Sequence, residues 1–122
     1  MSEDVTNILL IEDNPGDVKL IQITLESDPL FPYHITVASR IADAEALFAK
    51  SRFDVVLLDL SLPDSHGVET VDRVRMMAVD VPIVVVTGNS EAAAGVKALE
   101  RGAQDFLVKG EFDGAIVSRA IR

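Results

Sequence analysis

Three carboxylates, a hydroxyl and an amine stand where this chain most easily builds chemistry. Glu12 and Asp13 follow the apolar run Asn7 to Ile11, and Asp59 ends the run Val55 to Leu58. Thr87 closes Ile83 to Val86, and Lys109 follows Asp105 to Val108. Carboxylates crowded into one cleft repel one another and raise one another's pKa unless a cation is present. Lys109 supplies one positive charge, which leaves the group net negative. A hard divalent ion would complete the balance. Magnesium suits, because it takes one or two carboxylates together with waters and phosphate oxygens. A carboxylate can also act as a nucleophile and form an acyl phosphate. Phosphoryl transfer asks a protein mainly for positioning and charge stabilisation. The set therefore fits transfer of a phosphoryl group onto an aspartate, with Lys109 and the Thr87 hydroxyl meeting phosphoryl oxygens.

These residues act together only if the fold gathers them. Short apolar runs alternate with amphipathic stretches along the whole chain. Asn7 to Ile11, Tyr33 to Ala38, Val55 to Leu58, Ile83 to Val86 and Asp105 to Val108 read as strands, most of them with the continuous apolar pattern of strands buried on both faces. Between them, Val18, Ile21 and Leu25 recur at helical spacing, as do Ile41, Ala44, Leu47 and Phe48. Val68, Val71 and Val74 mark a third helix, and Ala92, Val96 and Leu99 a fourth. A last helix begins near Phe112, with Ile116, Val117, Ala120 and Ile121 inward. Asn14-Pro15, Ser39 and Ser90 read as helix starts, and Gly102 as a stop.

The order is (βα)₅, an α/β fold with a doubly wound parallel five-stranded sheet. The expected strand order is the flavodoxin-like 2-1-3-4-5. Function in such sheets gathers outside the carboxyl ends of the strands. The first, third, fourth and fifth strands are neighbours in this order, so all five side chains face one cleft.

Composition narrows the partners. The chain has 122 residues, the length of one domain, and 48% are apolar, enough for a core. With 20 acidic against 11 basic residues the net charge is −9, which repels nucleic acid and anionic membranes. No cysteine is present, so disulfides, thiolate metal sites and a cysteine nucleophile are excluded. No apolar run approaches membrane-spanning length, and Met1-Ser2-Glu3-Asp4 does not read as a secretory signal. The expected location is cytoplasmic.

Four segments together resemble the receiver domains of bacterial response regulators in two-component signalling: ILLIEDNPGD at 8–17, VVLLDLSLPDSHG at 55–67, IVVVTG at 83–88 and GAQDFLVKG at 102–110. The resemblance covers essentially residues 1–122 as one domain, expected to be excised from a longer signalling protein. It implies that Asp59 is the phosphoacceptor. It implies a Mg2+ site of Asp13, Asp59, the Ser61 backbone carbonyl and Glu12, the last acting more through water. Thr87 and Phe106 are implied as the switch pair, and Lys109 as the active-site lysine. The implied donor is a phosphohistidine on a sensor histidine kinase or phosphotransfer protein. The implied output is the surface around the fourth helix, fifth strand and fifth helix. That surface would control a partner or a fused or separate output domain, and it also offers a homodimer contact. The helix face with Asp17, Val18 and Ile21 is the expected kinase docking site. Ser61 and Asn89, two residues past Asp59 and Thr87, are expected to tune the phosphoryl lifetime. The implied protein is a switch, at most phosphorylating itself from small donors and slowly dephosphorylating.

One position departs from the family. Receivers commonly carry proline after the lysine, often behind a cis bond, whereas Gly110 stands here. A non-proline cis bond costs about 2.5–4 kcal/mol, so a trans bond or a looser loop is expected.

Plainer readings compete residue by residue. Asp13 and Asp59 are common turn types, Thr87 suits a strand end, and Phe106 suits a core. Glu12, Asp4, Asp64 and Asp113 could be solvated, His34 and His66 lack metal-like partners, and Met76-Met77 suit helix-end packing. Three other functions compete. A haloacid-dehalogenase-type phosphatase needs a second aspartate two residues after the nucleophile, where Ser61 stands. An FMN binder needs free backbone donors after the first strand, where Glu12, Asp13 and Pro15 stand. A receiver that no longer takes phosphate would not need these residues intact.

Overall fold

The computed structural model describes residues 5–26, 32–78, 80–88 and 92–109, with His66 and Ala92 described in backbone alone. The alternation seen in the sequence becomes β1 (Thr6–Ile11), α1 (Pro15–Glu26), β2 (Tyr33–Ala38), α2 (Ile41–Lys50) and β3 (Val55–Asp59). A two-residue hairpin follows, β4 (Ser61–Leu62) with β5 (Ser65–His66), and then α3 (Glu69–Met77). The chain continues through β6 (Ile83–Thr87), α4 (Ala92–Glu100) and β7 (Asp105–Val108). The main sheet is parallel throughout, in the order β2-β1-β3-β6-β7. This is the expected flavodoxin-like arrangement. The hairpin is the addition, because Ser61 to Gly67 read only as a loop.

The doubly buried strands explain the two cores. Leu9, Ile11, Val56, Leu58, Ile83 and Val85 face one side, under Ile41 and Ala44 of α2, Val71 and Val74 of α3 and Ala98 of α4. Ile8, Leu10, Val55, Leu57, Val84 and Val86 face the other, under Ile21 and Leu25 of α1. Each large aliphatic side chain buried this way stabilises the fold by about 1.5–3 kcal/mol.

The helix boundaries have local causes. Asn14 Oδ1 accepts the N–H groups of Gly16 (2.8 Å) and Asp17 (3.1 Å), which starts α1 as expected. At α4 the Gly102 N–H bonds Leu99 O (3.1 Å) and the Ala103 N–H bonds Ala98 O (3.0 Å). Gly102 has φ 104°, so the stop needs a residue without Cβ.

Several expectations are corrected. The start of α2 is not held by Ser39. Asp64 reaches across from the β4–β5 turn, and its two carboxylate oxygens accept the N–H groups of Ile41 (3.0 Å) and Ala42 (3.2 Å). Asp64 is thus a cap rather than an idle surface charge. Met77 packs on the core, but Met76 is 83% exposed, so only one of that pair packs at the helix end. On α1, Ile21 is buried and Val18 packs beside it, so the face expected to dock a kinase turns largely into the core. The exposed apolar residues of α1 are Leu20 and Ile23. Asp4, Asn89, Ser90, Gly110, Asp113 and the final helix lie outside the described residues, as does the Lys109–Gly110 bond.

Candidate functional site

The parallel register brings the strand ends to one edge. Asp59 is the last residue of β3 and pairs with Val86 of β6. Thr87 pairs with Val108, and the Lys109 N–H donates to Thr87 O (2.7 Å), which extends the β6–β7 ladder by one bond. Glu12 leaves β1 with its N–H bonded to Ala38 O (2.9 Å). Glu12, Asp13, Asp59, Thr87 and Lys109 therefore occupy the same end of the sheet.

Their environments differ. Glu12 is only 2% exposed, so it is not the solvated glutamate its type suggests. One of its oxygens lies 3.0 Å from Lys109 Nζ, and the other accepts the Asn14 N–H (3.2 Å). Asp13 is exposed. Asp59 is buried, and its Oδ1 accepts the Ser61 N–H (3.3 Å). Each of Glu12, Asp13 and Asp59 offers a carboxylate oxygen within 4.8 Å of the others. That spacing of hard oxygen donors fits a divalent cation such as magnesium.

Burial pushes the Asp59 carboxyl up to about 7, and the neighbouring Glu12 carboxylate pushes in the same direction. Lys109 and the Ser61 N–H oppose this without cancelling it. For Lys109, burial alone would lower the pKa. Its hydrogen bond with Asp17, its ion pair with Glu12 and the charge of Asp59 outweigh burial, so the amine is held charged. A buried, crowded carboxylate beside a permanent cation is poised to gain from a further positive charge.

Thr87 is completely buried, and its hydroxyl finds no hydrogen-bond partner among the described residues. A buried polar group left without a partner costs about 1–3 kcal/mol, which a ligand oxygen would relieve. Strand alternation puts Thr87 on the same face as Val85, the face on which Phe106 packs. Phe106 is half-buried, and its ring lies against Gly95 of α4, where a Cβ would come within 2.5 Å of the ring.

Two participants were not foreseen at this site. Asp17 was read only as part of a docking face, yet its Oδ2 lies 2.8 Å from Lys109 Nζ. Its place in the first turn of α1, just past the end of β1, was the available signal. Gly95 carried no signal, because a glycine inside an apolar helical pattern does not announce what packs on it. His34 is exposed and contributes nothing at this edge.

Comparison with known proteins places the arrangement. Residues 8–121 match the family model described as response regulator receiver domain. The cell cycle transcriptional regulator CtrA of Caulobacter vibrioides is 30% identical over 84% of this chain and 43% of its own length. The transcriptional regulatory protein KdpE of Staphylococcus aureus is 33% identical over 85% of this chain and 43% of its own. The chain thus spans less than half the length of these curated relatives. Among solved structures, the receiver domain of a sensor histidine kinase from Pseudomonas aeruginosa, with a magnesium ion coordinated in its active-site cleft, is 28% identical. It superposes with a TM-score of 0.77 over 96% of this chain and 94% of its own. A receiver domain from Bacteroides fragilis, at 22% identity, shares the fold with a TM-score of 0.82 over 97% of this chain and 94% of its own. With the strand-end residues, the parallel topology and the family match in agreement, the chain belongs to the response regulator receiver domain family, whose members accept phosphoryl groups as signalling switches.

Proposed function

We propose that this chain accepts a phosphoryl group on Asp59 and acts as a switch in a two-component phosphorelay. The observation that carries the proposal is the company of Asp59. It is a buried carboxylate near the Lys109 ammonium, at the edge where Thr87 holds a buried hydroxyl without a partner among the described residues. An acyl phosphate needs a nucleophilic carboxylate, cationic charge for its oxygens and a hydrogen-bond donor, and this edge holds all three.

In the step proposed, an Asp59 carboxylate oxygen attacks phosphorus. The Asp59 O–P bond forms as the P–N bond of a phosphohistidine breaks, and the imidazole nitrogen leaves with the electron pair. Glu12, Asp13, Asp59 and the Ser61 carbonyl would hold Mg2+, which supplies charge neutralisation for the phosphoryl oxygens. Lys109 meets one phosphoryl oxygen, and Thr87 donates its hydroxyl to another. Phosphorylation brings nearly two negative charges and several acceptors. Thr87 is drawn toward them, and Phe106, on the same face of the sheet, follows. The change is read on the surface of α4 and β7 and the segment after it, which controls a partner or an output domain and offers a homodimer contact. Such a switch favours one of two existing states rather than creating a new one. Ser61 and Asn89 tune the phosphoryl lifetime.

The partners proposed are a sensor histidine kinase or phosphotransfer protein and a fused or separate output domain. The net charge of −9 argues against nucleic acid and membranes as partners of this domain. Among the described residues no helix is long and apolar enough to cross a membrane. A cytoplasmic location is proposed with the phosphorelay role.

The test is incubation with Mg2+ and acetyl phosphate, or with Mg2+ and beryllofluoride, for wild type and Asp59→Asn. Mass spectrometry should find one added phosphoryl group on wild type and none on the variant. NMR should find a magnesium-dependent beryllofluoride shift in wild type alone. Wild type unresponsive to both reagents would falsify the proposal.

A further inference from the structure

The ammonium of Lys109 is shared unequally. Its Nζ lies 2.8 Å from Asp17 Oδ2 and 3.0 Å from Glu12 Oε1, but 3.8 Å from Asp59 Oδ2. Charge-assisted N–H···O bonds run at about 2.7–2.9 Å, so Asp17 holds a full bond and Asp59 holds none. Asp17 lies outside the cluster Glu12, Asp13 and Asp59 that suits a divalent cation. Its carboxylate comes from α1, whereas Lys109 comes from the end of β7, so the bond ties two elements 92 residues apart in sequence.

The position of Asp17 is built. The Asn14 side chain accepts the Asp17 N–H (3.1 Å) and the Gly16 N–H (2.8 Å), which fixes the first turn of α1. The backbone of Lys109 is fixed by its bond to Thr87 O (2.7 Å). The pair is partly shielded, with side-chain exposures of 19% for Lys109 and 32% for Asp17. An interaction of that kind is strong enough to set where the amine rests and weak enough to be displaced.

We propose that Asp17 is a positioning residue that parks the Lys109 ammonium off Asp59 until the phosphoryl group displaces the Asp17 carboxylate from it. The inference rests on Asp59 being the acceptor. With acetyl phosphate, the Asp59 O–P bond forms as the P–O bond to acetate breaks, and acetate leaves with the electron pair. Lys109 Nζ then exchanges one carboxylate oxygen on α1 for a phosphoryl oxygen, with no proton moved. Phosphorylation thereby releases the α1–β7 tie as it gathers Lys109 inward.

The experiment compares wild type, Asp17→Asn and Asp17→Glu, each also with Lys109→Met. Phosphorylation by acetyl phosphate is followed at saturating Mg2+, and Mg2+ affinity is measured by calorimetry without a phosphodonor. Asp17→Asn frees the ammonium. Its phosphorylation rate should rise roughly two- to fivefold, while its Mg2+ Kd rises by a similar factor, the scale a partly exposed ion pair supports. A damaged fold would instead lower both rate and affinity. Asp17→Glu keeps the charge and should stay within about twofold of wild type. With Lys109→Met, Asp17→Asn should no longer accelerate the reaction. An Asp17→Asn rate equal to or below wild type overturns the inference, as does acceleration that survives the loss of Lys109. Wild type that takes up no phosphate overturns the acceptor reading and the inference together. Wild type that labels while Asp17→Asn matches it overturns the inference alone.

Discussion

Asp59 and Asp64 stand five residues apart on one connection, and the protein uses them in opposite ways. Asp59 is buried at the end of β3, beside Glu12, and its carboxyl is pushed up to about 7. Asp64 sits exposed in the β4–β5 turn. Burial pushes its pKa up, but the N–H groups of Ile41 and Ala42, with its own backbone N–H and the charge of Arg73, together hold it below the usual carboxylate range. One carboxylate is held where its charge costs stability, and the other where its charge adds to it. That difference separates a group poised for chemistry from a group that holds a helix.

The largest effect that would test this contrast is on phosphate uptake. Asp59→Asn should reduce labelling by acetyl phosphate about a hundredfold or more, because an amide is a poor nucleophile. Asp64→Asn should leave labelling within about twofold, since Asp64 touches α2 and not the site. Quantitative mass spectrometry at fixed Mg2+ checks both. Equal losses in the two variants would erase the distinction.

The next effect is on stability against pH in EDTA. The folded state holds a proton on Asp59 up to about 7, whereas the unfolded chain releases it near the ordinary aspartate value of about 3.9. Between those values the folded state binds more protons, so the contribution of Asp59 is fully present at low pH and is lost as pH rises through about 7. Asp59→Asn should remove this dependence and make the metal-free protein about 2 kcal/mol more stable than wild type at pH 8. Urea unfolding at pH 5 and pH 8 checks it. Adding Mg2+ should stabilise wild type at pH 8 more than the variant. Asp64 has the opposite sign. Its contribution is present above the ordinary aspartate value and is lost as pH falls through its depressed folded value. Asp64→Ala should cost about 1 kcal/mol near neutral pH, as loss of a helix cap does.

The contrast also separates what was legible in the chain from what was not. The β1, β3 and β6 runs are apolar without interruption, which only strands covered on both faces require. With the helical stretches between them they imply a doubly wound parallel sheet, whose usual strand order brings Glu12, Asp59, Thr87 and Lys109 to one edge. Asp64 was not legible as a cap, because its partners Ile41 and Ala42 lie 22 to 23 residues away in sequence. Ser39, next to the helix, was the local candidate and lost to a carboxylate that folding brings near. Asp17 was missed at the site for a similar reason. Its spacing places it on α1, but only the reach of Lys109 from β7 makes it a partner. Local patterns report which face a residue takes, whereas long side chains meeting across elements leave no periodic trace.

The smallest effect lies at Gly95, where the same logic applies to an apolar group. A glycine inside a helix costs about 0.5–1 kcal/mol relative to alanine, so Gly95→Ala should stabilise α4 on propensity alone. The added Cβ would come 2.5 Å from Phe106 Cδ2 and 2.8 Å from Cγ, so the ring must leave its seat. Loss of that packing offsets the helix gain, and the net change in stability should stay below about 1 kcal/mol. The ring position should change nonetheless, and NMR shifts of the Phe106 ring protons check this directly. Unchanged ring shifts with the full gain in stability would mean that Gly95 is ordinary helix surface. A displaced ring with little change in stability would mean that Gly95 fixes where Phe106 rests, and so the starting point of any movement coupled to Thr87.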